Sequence, residues 1–278
     1  MTTTWTLSGF GDEIDPDPVV QVAVLQALGA RHLEVRSAWR TNIVEFDDDQ
    51  LSRLGAVLSE REMGVSAIAS PIGKVDVSAP IENELGRLDA AIKAAQALGA
   101  GFIRIFSFYR GEGVAVEAVR DQVIDHLSAL AERADRAGLV LLHENEKGIY
   151  GDVPSRVHDL ITAVGSPALK IAWDNANFVQ CGVRPYTDGF ELLRPHVAYL
   201  QVKDARAADG KVVPAGEGDG ELAETVAGLR DHGFDGFASL EPHLTVAGQL
   251  GGFSGPAAFG RAAAAFAQLT HTQGVNLR

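Results

Sequence analysis

Four segments in the C-terminal half of the chain run from an apolar stretch into an oxygen-bearing side chain: LVLLHE ends at Glu144, LKIAWD at Asp174, VAYLQVK carries Gln201, and FASLE ends at Glu241. A strand alternates its side chains with a period of two. Glu144 therefore shares a face with Leu142 and Val140, while Tyr199, Gln201 and Lys203 share one face and Leu200 and Val202 the other. One acidic residue at a strand end is as often a helix cap or a surface charge as a functional group. Four in register on consecutive strands are another matter. Three carboxylates converging without a cation would repel one another and be driven toward protonation. A divalent cation with oxygen ligands resolves that conflict, so a metal centre is expected here.

The elements that must position these residues repeat along the chain. Helix-like segments pass, usually through a Gly, into a short apolar or β-branched strand: LQALGARHLEVR, LSEREMGVSAIAS, AQALGAGFIRIF, ADRAGLVLLHE, VGSPALKIAWD, LRPHVAYLQVKD and LRDHGFDGFASLE. Gly at this place suits the left-handed residue that ends a helix. The fifth and sixth units have Pro167 and Pro195 instead, which also stop a helix. With a first strand near Thr6–Phe10, eight strands result, spaced by roughly 30–40 residues, the size of a βα unit. Helical patterns rich in Ala and Leu fill Pro18–Leu28, Asp48–Glu62, Glu82–Leu98, Val116–Ala137, Pro154–Val164, Asp188–Leu193, Leu222–His232 and Pro256–Thr270. Strict β/α alternation predicts a parallel sheet. Eight units without a Gly-rich dinucleotide fingerprint predict an α/β fold closed as a single (β/α)8 TIM barrel over residues 1–278. Such barrels carry their active sites at the C-terminal strand ends, where the four oxygen-bearing residues lie.

Composition narrows the partners. A hydrophobic fraction of 46% is ample for one large core. No apolar run approaches the roughly 20 residues of a membrane span, and the first residues carry no signal-peptide pattern. The lone Cys181 cannot form an internal disulfide, so a cytoplasmic setting is expected. A formal charge of −13 disfavours nucleic acid, whose backbone it would repel. A small neutral or weakly charged substrate suits it better, and a homo-oligomer stays open.

The runs HEN (His143–Asn145), WDNAN (Trp173–Asn177), QVKDA (Gln201–Ala205), GEGDG (Gly216–Gly220) and GFDGFASLE (Gly233–Glu241) resemble the xylose-isomerase-like superfamily. Within it they are most similar to the sugar phosphate isomerase/epimerase group, with its ketose 3-epimerases and inosose isomerases and dehydratases. The resemblance implies a metal held by Glu, Asp, His and Glu from successive strands. Glu144, Asp174 and Glu241 match, but Gln201 stands at the His position, and Asn177 stands where the epimerase pattern has a second His. A Gln can still coordinate through its amide oxygen. The set Glu144, Asp174, Gln201 and Glu241 is then all-oxygen, which favours Mn²⁺ or Mg²⁺ over Zn²⁺.

The expected chemistry is proton abstraction next to a carbonyl of a keto-sugar or keto-polyol, through an ene-diolate stabilised by the metal. Glu144 and Glu241 are the candidate bases. If a leaving group sits β to the carbanion, the same chemistry is a lyase or dehydratase, with His143 or Lys203 protonating the departing oxygen. Glu34, Arg36, Arg104, Asn177, Glu146 and His243 are candidate substrate contacts, although Glu34 could equally pair internally with Arg36 or Lys203. Trp39, Phe108, Tyr109 and Phe178 could stack on a sugar ring. GEGDG reads as a turn, because its two acids would repel phosphate. A DNA-repair endonuclease on the same barrel needs a His-rich zinc site, but Ser70, Ser107 and Gln201 stand at the relevant strand ends. A non-catalytic sugar-binding barrel would have no reason to keep both Glu144 and Glu241.

Overall fold

The structure, a computed structural model, describes residues 3–245 and 252–278. Eight parallel strands form the barrel wall: β1 (Thr3–Gly9), β2 (His32–Val35), β3 (Gly64–Ala69), β4 (Phe102–Ile105), β5 (Val140–Glu144), β6 (Leu169–Asp174), β7 (Val197–Val202) and β8 (Phe237–Leu240). A ninth, β9 (Val275–Leu277), was not expected from the sequence. The sheet order is β9-β1-β8-β7-β6-β5-β4-β3-β2. A parallel bridge between Phe10 and Glu34 joins β1 to β2 and closes the ring. β9 adds outside it, pairing with the start of β1 from Thr3 to Trp5.

The helices are α1 (Pro18–Ala27), α2 (Asp48–Glu60), α3 (Ile81–Leu98), α4 (Arg120–Arg136), α5 (Pro154–Val164), α6 (Asn175–Gln180), α7 (Leu222–Asp231) and α8 (Gly255–Thr272). Their starts have local causes. Asp17 caps α1 by accepting from the Val19 N–H, with Pro18 at the first position. Asp47 and Gln50 form a reciprocal capping box on α2. Gly99 and Gly165 end α3 and α5 with φ of 72° and 60°, a conformation that costs other residues about 1 kcal/mol or more, so the fifth unit stops its helix at a glycine as the third does and not at Pro167 as expected.

Two expected helices differ from the observed ones, and one observed helix was not expected. The segment from Val116 begins as a 3-10 turn, Val116–Val119, before α4. The segment at Asp188–Leu193 is a π-turn (Tyr186–Phe190) followed by one helical turn and a 3-10 turn. Gly189 in it touches α5, and a Cβ there would lie 2.6 Å from Pro154 Cγ. The short α6, directly after β6, was hidden because its six residues are too few to show a helical period. The main core lies between barrel and helices, with Trp5, Phe178, Phe190, Phe259 and Phe266 among its largest buried side chains. Each such burial contributes about 1.5–3 kcal/mol. Among the described residues no helix is long and apolar enough to cross a membrane.

Candidate metal centre and acid–base site

Inside the barrel, side chains of one parity stack in layers. Near its base, Ala67, Leu142, Ala172 and Tyr199 pack with Phe102 and Phe237. The next layer is polar. Tyr199 Oη donates to Glu34 Oε2 at 2.8 Å and lies 2.9 Å from Ser66 Oγ, while Gln201 Nε2 donates to Glu34 Oε1 at 3.0 Å. Burial raises the Glu34 carboxyl to about 7, against the pull of Arg104. Glu34 is thus bonded inside the barrel, not in the substrate cavity, and its partners are neither Arg36 nor Lys203.

Above this layer Glu144, Asp174 and Glu241 converge from β5, β6 and the end of β8. One oxygen of each lies within 4.8 Å of the others. Every one of their six oxygens faces a donor. Glu144 Oε1 accepts from Asn177 Nδ2 and Oε2 from Arg104 Nη1, both at 3.1 Å. Asp174 Oδ1 accepts from the Asn177 N–H at 2.9 Å, and Oδ2 lies 2.7 Å from Lys203 Nζ. Glu241 Oε1 accepts from Arg36 Nη1 and Oε2 from Lys203 Nζ, again at 3.1 Å. Asp12 Oδ2 anchors Arg36 through Nε at 2.8 Å. Asn145 exchanges two hydrogen bonds with the Asp174 backbone, locking the ends of β5 and β6 together.

The electrostatics of the two candidate bases diverge. Burial raises the Glu144 carboxyl above its ordinary value despite Arg104. Burial also acts on Glu241, but Lys203, His243, Arg104 and Arg36 outweigh it and hold that carboxyl low. Lys203 loses hydration, yet Asp174, Glu241 and Glu144 together keep its ammonium charged. A residue not singled out in the sequence joins this wall. Glu13, on the turn after β1, accepts from the His243 N–H at 2.9 Å and Ser254 Oγ at 2.8 Å. Burial pushes its carboxyl to about 8. Its Oε1 lies 3.4 Å from His243 Nε2, and Glu13, Glu241 and His243 form a second group with metal-ligand spacing.

A cavity of about 100 Å³ opens on this ring, lined by Arg36, Arg104, Glu144, Lys203, Glu241 and His243, with Lys74 and Glu146 among the other lining residues. Lys74 and Glu146 pair at 3.2 Å, and nothing in the local sequence marked Lys74. Asn177 is spent on Glu144 and on the Asn145 carbonyl, so it positions a carboxylate and does not line the cavity. His143 lies on the opposite face of β5 from Glu144. It is fully buried near Ser107 and Gly151, and both ring nitrogens lack a partner. The expected acid–base role finds no support in this placement. Phe178 packs on Trp173 in the core and Phe108 on His126, so neither is free to stack on a sugar. Trp39 stacks on Phe46.

GEGDG is a cradle for a side chain. Asp204 accepts from the N–H groups of Ala205, Gly216, Gly218 and Gly220 at 2.8–3.1 Å. A Cβ on Gly218 would fall 2.4 Å from Asp204 Oδ1. The glycines are needed for that close approach, and the loop is thereby tied to the end of β7.

The donor set suits a divalent ion. Three carboxylate oxygens within 4.8 Å of one another have the spacing of ligands that each sit about 2.0–2.6 Å from one ion. Gln201 Oε1 is buried without a hydrogen-bond partner, leaving an amide oxygen as a further donor.

Comparison with known proteins follows the same lines. The family described as xylose isomerase-like TIM barrel matches residues 22–268. Fructoselysine 3-epimerase of Shigella flexneri is 26% identical over 161 residues, which is 56% of this chain and 58% of that protein. The chain thus aligns with little more than half the length of that relative. A 2-epi-5-epi-valiolone 7-phosphate 2-epimerase from Actinoplanes sp. is 28% identical over 238 residues, 82% of this chain and 80% of that one. Among solved structures, the IOLI protein with a bound zinc atom superposes with a TM-score of 0.79 at 13% identity, covering 96% of this chain and 99% of its own. The chain belongs to the xylose isomerase-like TIM barrel family.

Proposed function

We propose that this chain is an enzyme that moves a proton at the carbon next to the carbonyl of a keto-sugar or keto-polyol, as an epimerase or isomerase. The observation that carries the reading is the pair Glu144 and Glu241. Both reach one small cavity from non-adjacent strands, with an oxygen of each within 4.8 Å of the other's. One carboxylate removes the α-proton. The other, which enters the cycle protonated, delivers its own proton to the opposite face of that carbon, or to the neighbouring carbon. Arg104 and Arg36 hold the two carboxylates in place, so neither must reorganise during the transfer. One divalent ion, Mn²⁺ or Mg²⁺ on an all-oxygen set of Glu144, Asp174, Gln201 and Glu241, would polarise the carbonyl and stabilise the ene-diolate charge. The names of the two curated relatives, both epimerases, support the same class of reaction.

Elimination is the weaker reading. It needs an acid for the departing oxygen, and His143 lies outside the cavity. Lys203, clamped between Asp174 and Glu241, holds its proton too tightly to give it up readily.

The experiment is proton exchange. A panel of keto-sugars and keto-inositols is turned over in D₂O, and label is expected at the carbon flanking the ketone. Glu144→Gln and Glu241→Gln keep size and one coordinating oxygen but lose the base, and each should lower kcat by about 10²-fold or more with less effect on binding. Turnover with no label in any carbon, together with rescue of both variants by excess Mn²⁺, would overturn the reading in favour of hydrolysis by metal-bound water.

A further inference from the structure

We propose that Lys203 is an internal rival of the divalent ion: its ammonium neutralises the Asp174–Glu241 pair, and a metal takes this centre only by displacing it. The inference rests on the metal reading above, but its test can fail separately.

The argument is one of occupancy. Lys203 lies two residues after Gln201 on the same face of the chain leaving β7, is 4% exposed, and places Nζ 2.7 Å from Asp174 Oδ2 and 3.1 Å from Glu241 Oε2. The other two oxygens of that pair are held elsewhere. Asp174 Oδ1 caps α6 through the Asn177 N–H, and Glu241 Oε1 takes Arg36 Nη1. The oxygens of this pair not already engaged by Arg36 or by the cap of α6 are the ones that Lys203 holds, and a cation bridging the pair through them meets its ammonium.

Charge says the same. Glu144, Asp174 and Glu241 are faced by Arg36, Arg104 and Lys203, each at most 5% exposed. With Asp12, which also pairs with Arg36, four carboxylates meet three cations, so a dication arriving without displacement would still turn the buried cluster net positive.

Only one of the three cations is free to leave. Arg36 is fixed by Asp12 at 2.8 Å and by the Gly252 carbonyl at 3.1 Å. Arg104 lies over the rings of Phe10 and Phe106, its guanidinium carbon 5.3 and 4.8 Å from their centroids. Among the described residues Lys203 has no hydrogen-bond or ion-pair partner except the two carboxylates, and its flexible stem lines the cavity. Displacement would send the ammonium into the cavity, against the substrate.

The test is Mn²⁺ affinity, read by electron paramagnetic resonance of free Mn²⁺, for wild type, Lys203→Met and Lys203→Arg. Lys203→Met should bind Mn²⁺ tighter by about 10-fold or more, since the carboxylates lose their competing counter-ion. Lys203→Arg keeps the charge and should stay near wild type. Thermal melting gives a second readout. Mn²⁺ should raise the Tm of Lys203→Met by more than that of wild type, and a Lys203→Gln variant serves if the Met protein does not fold without metal. Equal or weaker Mn²⁺ binding by the neutral variants overturns the proposal. If they bind more tightly while chelated wild-type enzyme keeps full turnover, competition stands and the metal dependence proposed above falls. If no variant binds Mn²⁺ at all, both fall.

Discussion

Replacing His143 by Leu isolates the energetic consequence of a buried imidazole that does not line the cavity. His143 is fully buried, and burial lowers it from its ordinary 6.5 to about 3. Below pH 6.5 the unfolded chain takes up a proton there that the folded chain refuses until near pH 3. The folded state binds fewer protons over this window, so stability falls as pH falls. Between about pH 7.5 and about pH 5 the loss from this one residue is 1.36 × 1.5, or about 2 kcal/mol. His143→Leu removes that sensitivity while keeping an apolar side chain in the space. The assay is urea unfolding of both proteins at the two pH values. Every other titrating group is common to both, so the difference between the two pH-induced losses should be about 2 kcal/mol, with wild type the more acid-sensitive. Because the ring does not line the cavity, kcat at neutral pH should change by less than about 5-fold, well short of the loss expected when a general acid or base is removed. Identical acid sensitivity of the two proteins would refute the linkage, and a fall in kcat of about 10²-fold with the fold intact would return His143 to the chemistry.

Two further outcomes follow from the same geometry. Asp204→Ala removes an acceptor of four backbone N–H bonds and should cost about 3 kcal/mol in urea unfolding, with faster amide hydrogen exchange at Gly216, Gly218 and Gly220. Gln201→His adds an imidazole next to the carboxylates and should shift metal preference from Mn²⁺ toward Zn²⁺ or Co²⁺ in competition titrations. Unchanged preference together with unchanged activity would mean that Gln201 is not a ligand.

Much of this protein is legible along the chain because its causes are local. Helix caps such as Asp17 and Asp47, the glycine that ends α3, and the alternation along LVLLHE and LKIAWD act over a few residues. They define the βα repeat, and with it the strand ends where Glu144, Asp174 and Glu241 meet. The same parity, read strictly, puts His143 on the far face from Glu144; the expectation of catalysis there came from adjacency alone. What the sequence could not decide is which partner each inward group takes. Arg36 meets Glu241 across 205 residues and Tyr199 meets Glu34 across 165, contacts that exist only because the ring closes. Glu13 joins the site because the turn after β1 packs against His243 and Ser254, more than 200 positions away. The spacing of carboxylates is a local property, repeated from strand to strand. Whether Lys203 points at solvent, at substrate or into the carboxylate ring depends on which charges surround it in space, and tertiary structure alone decides that.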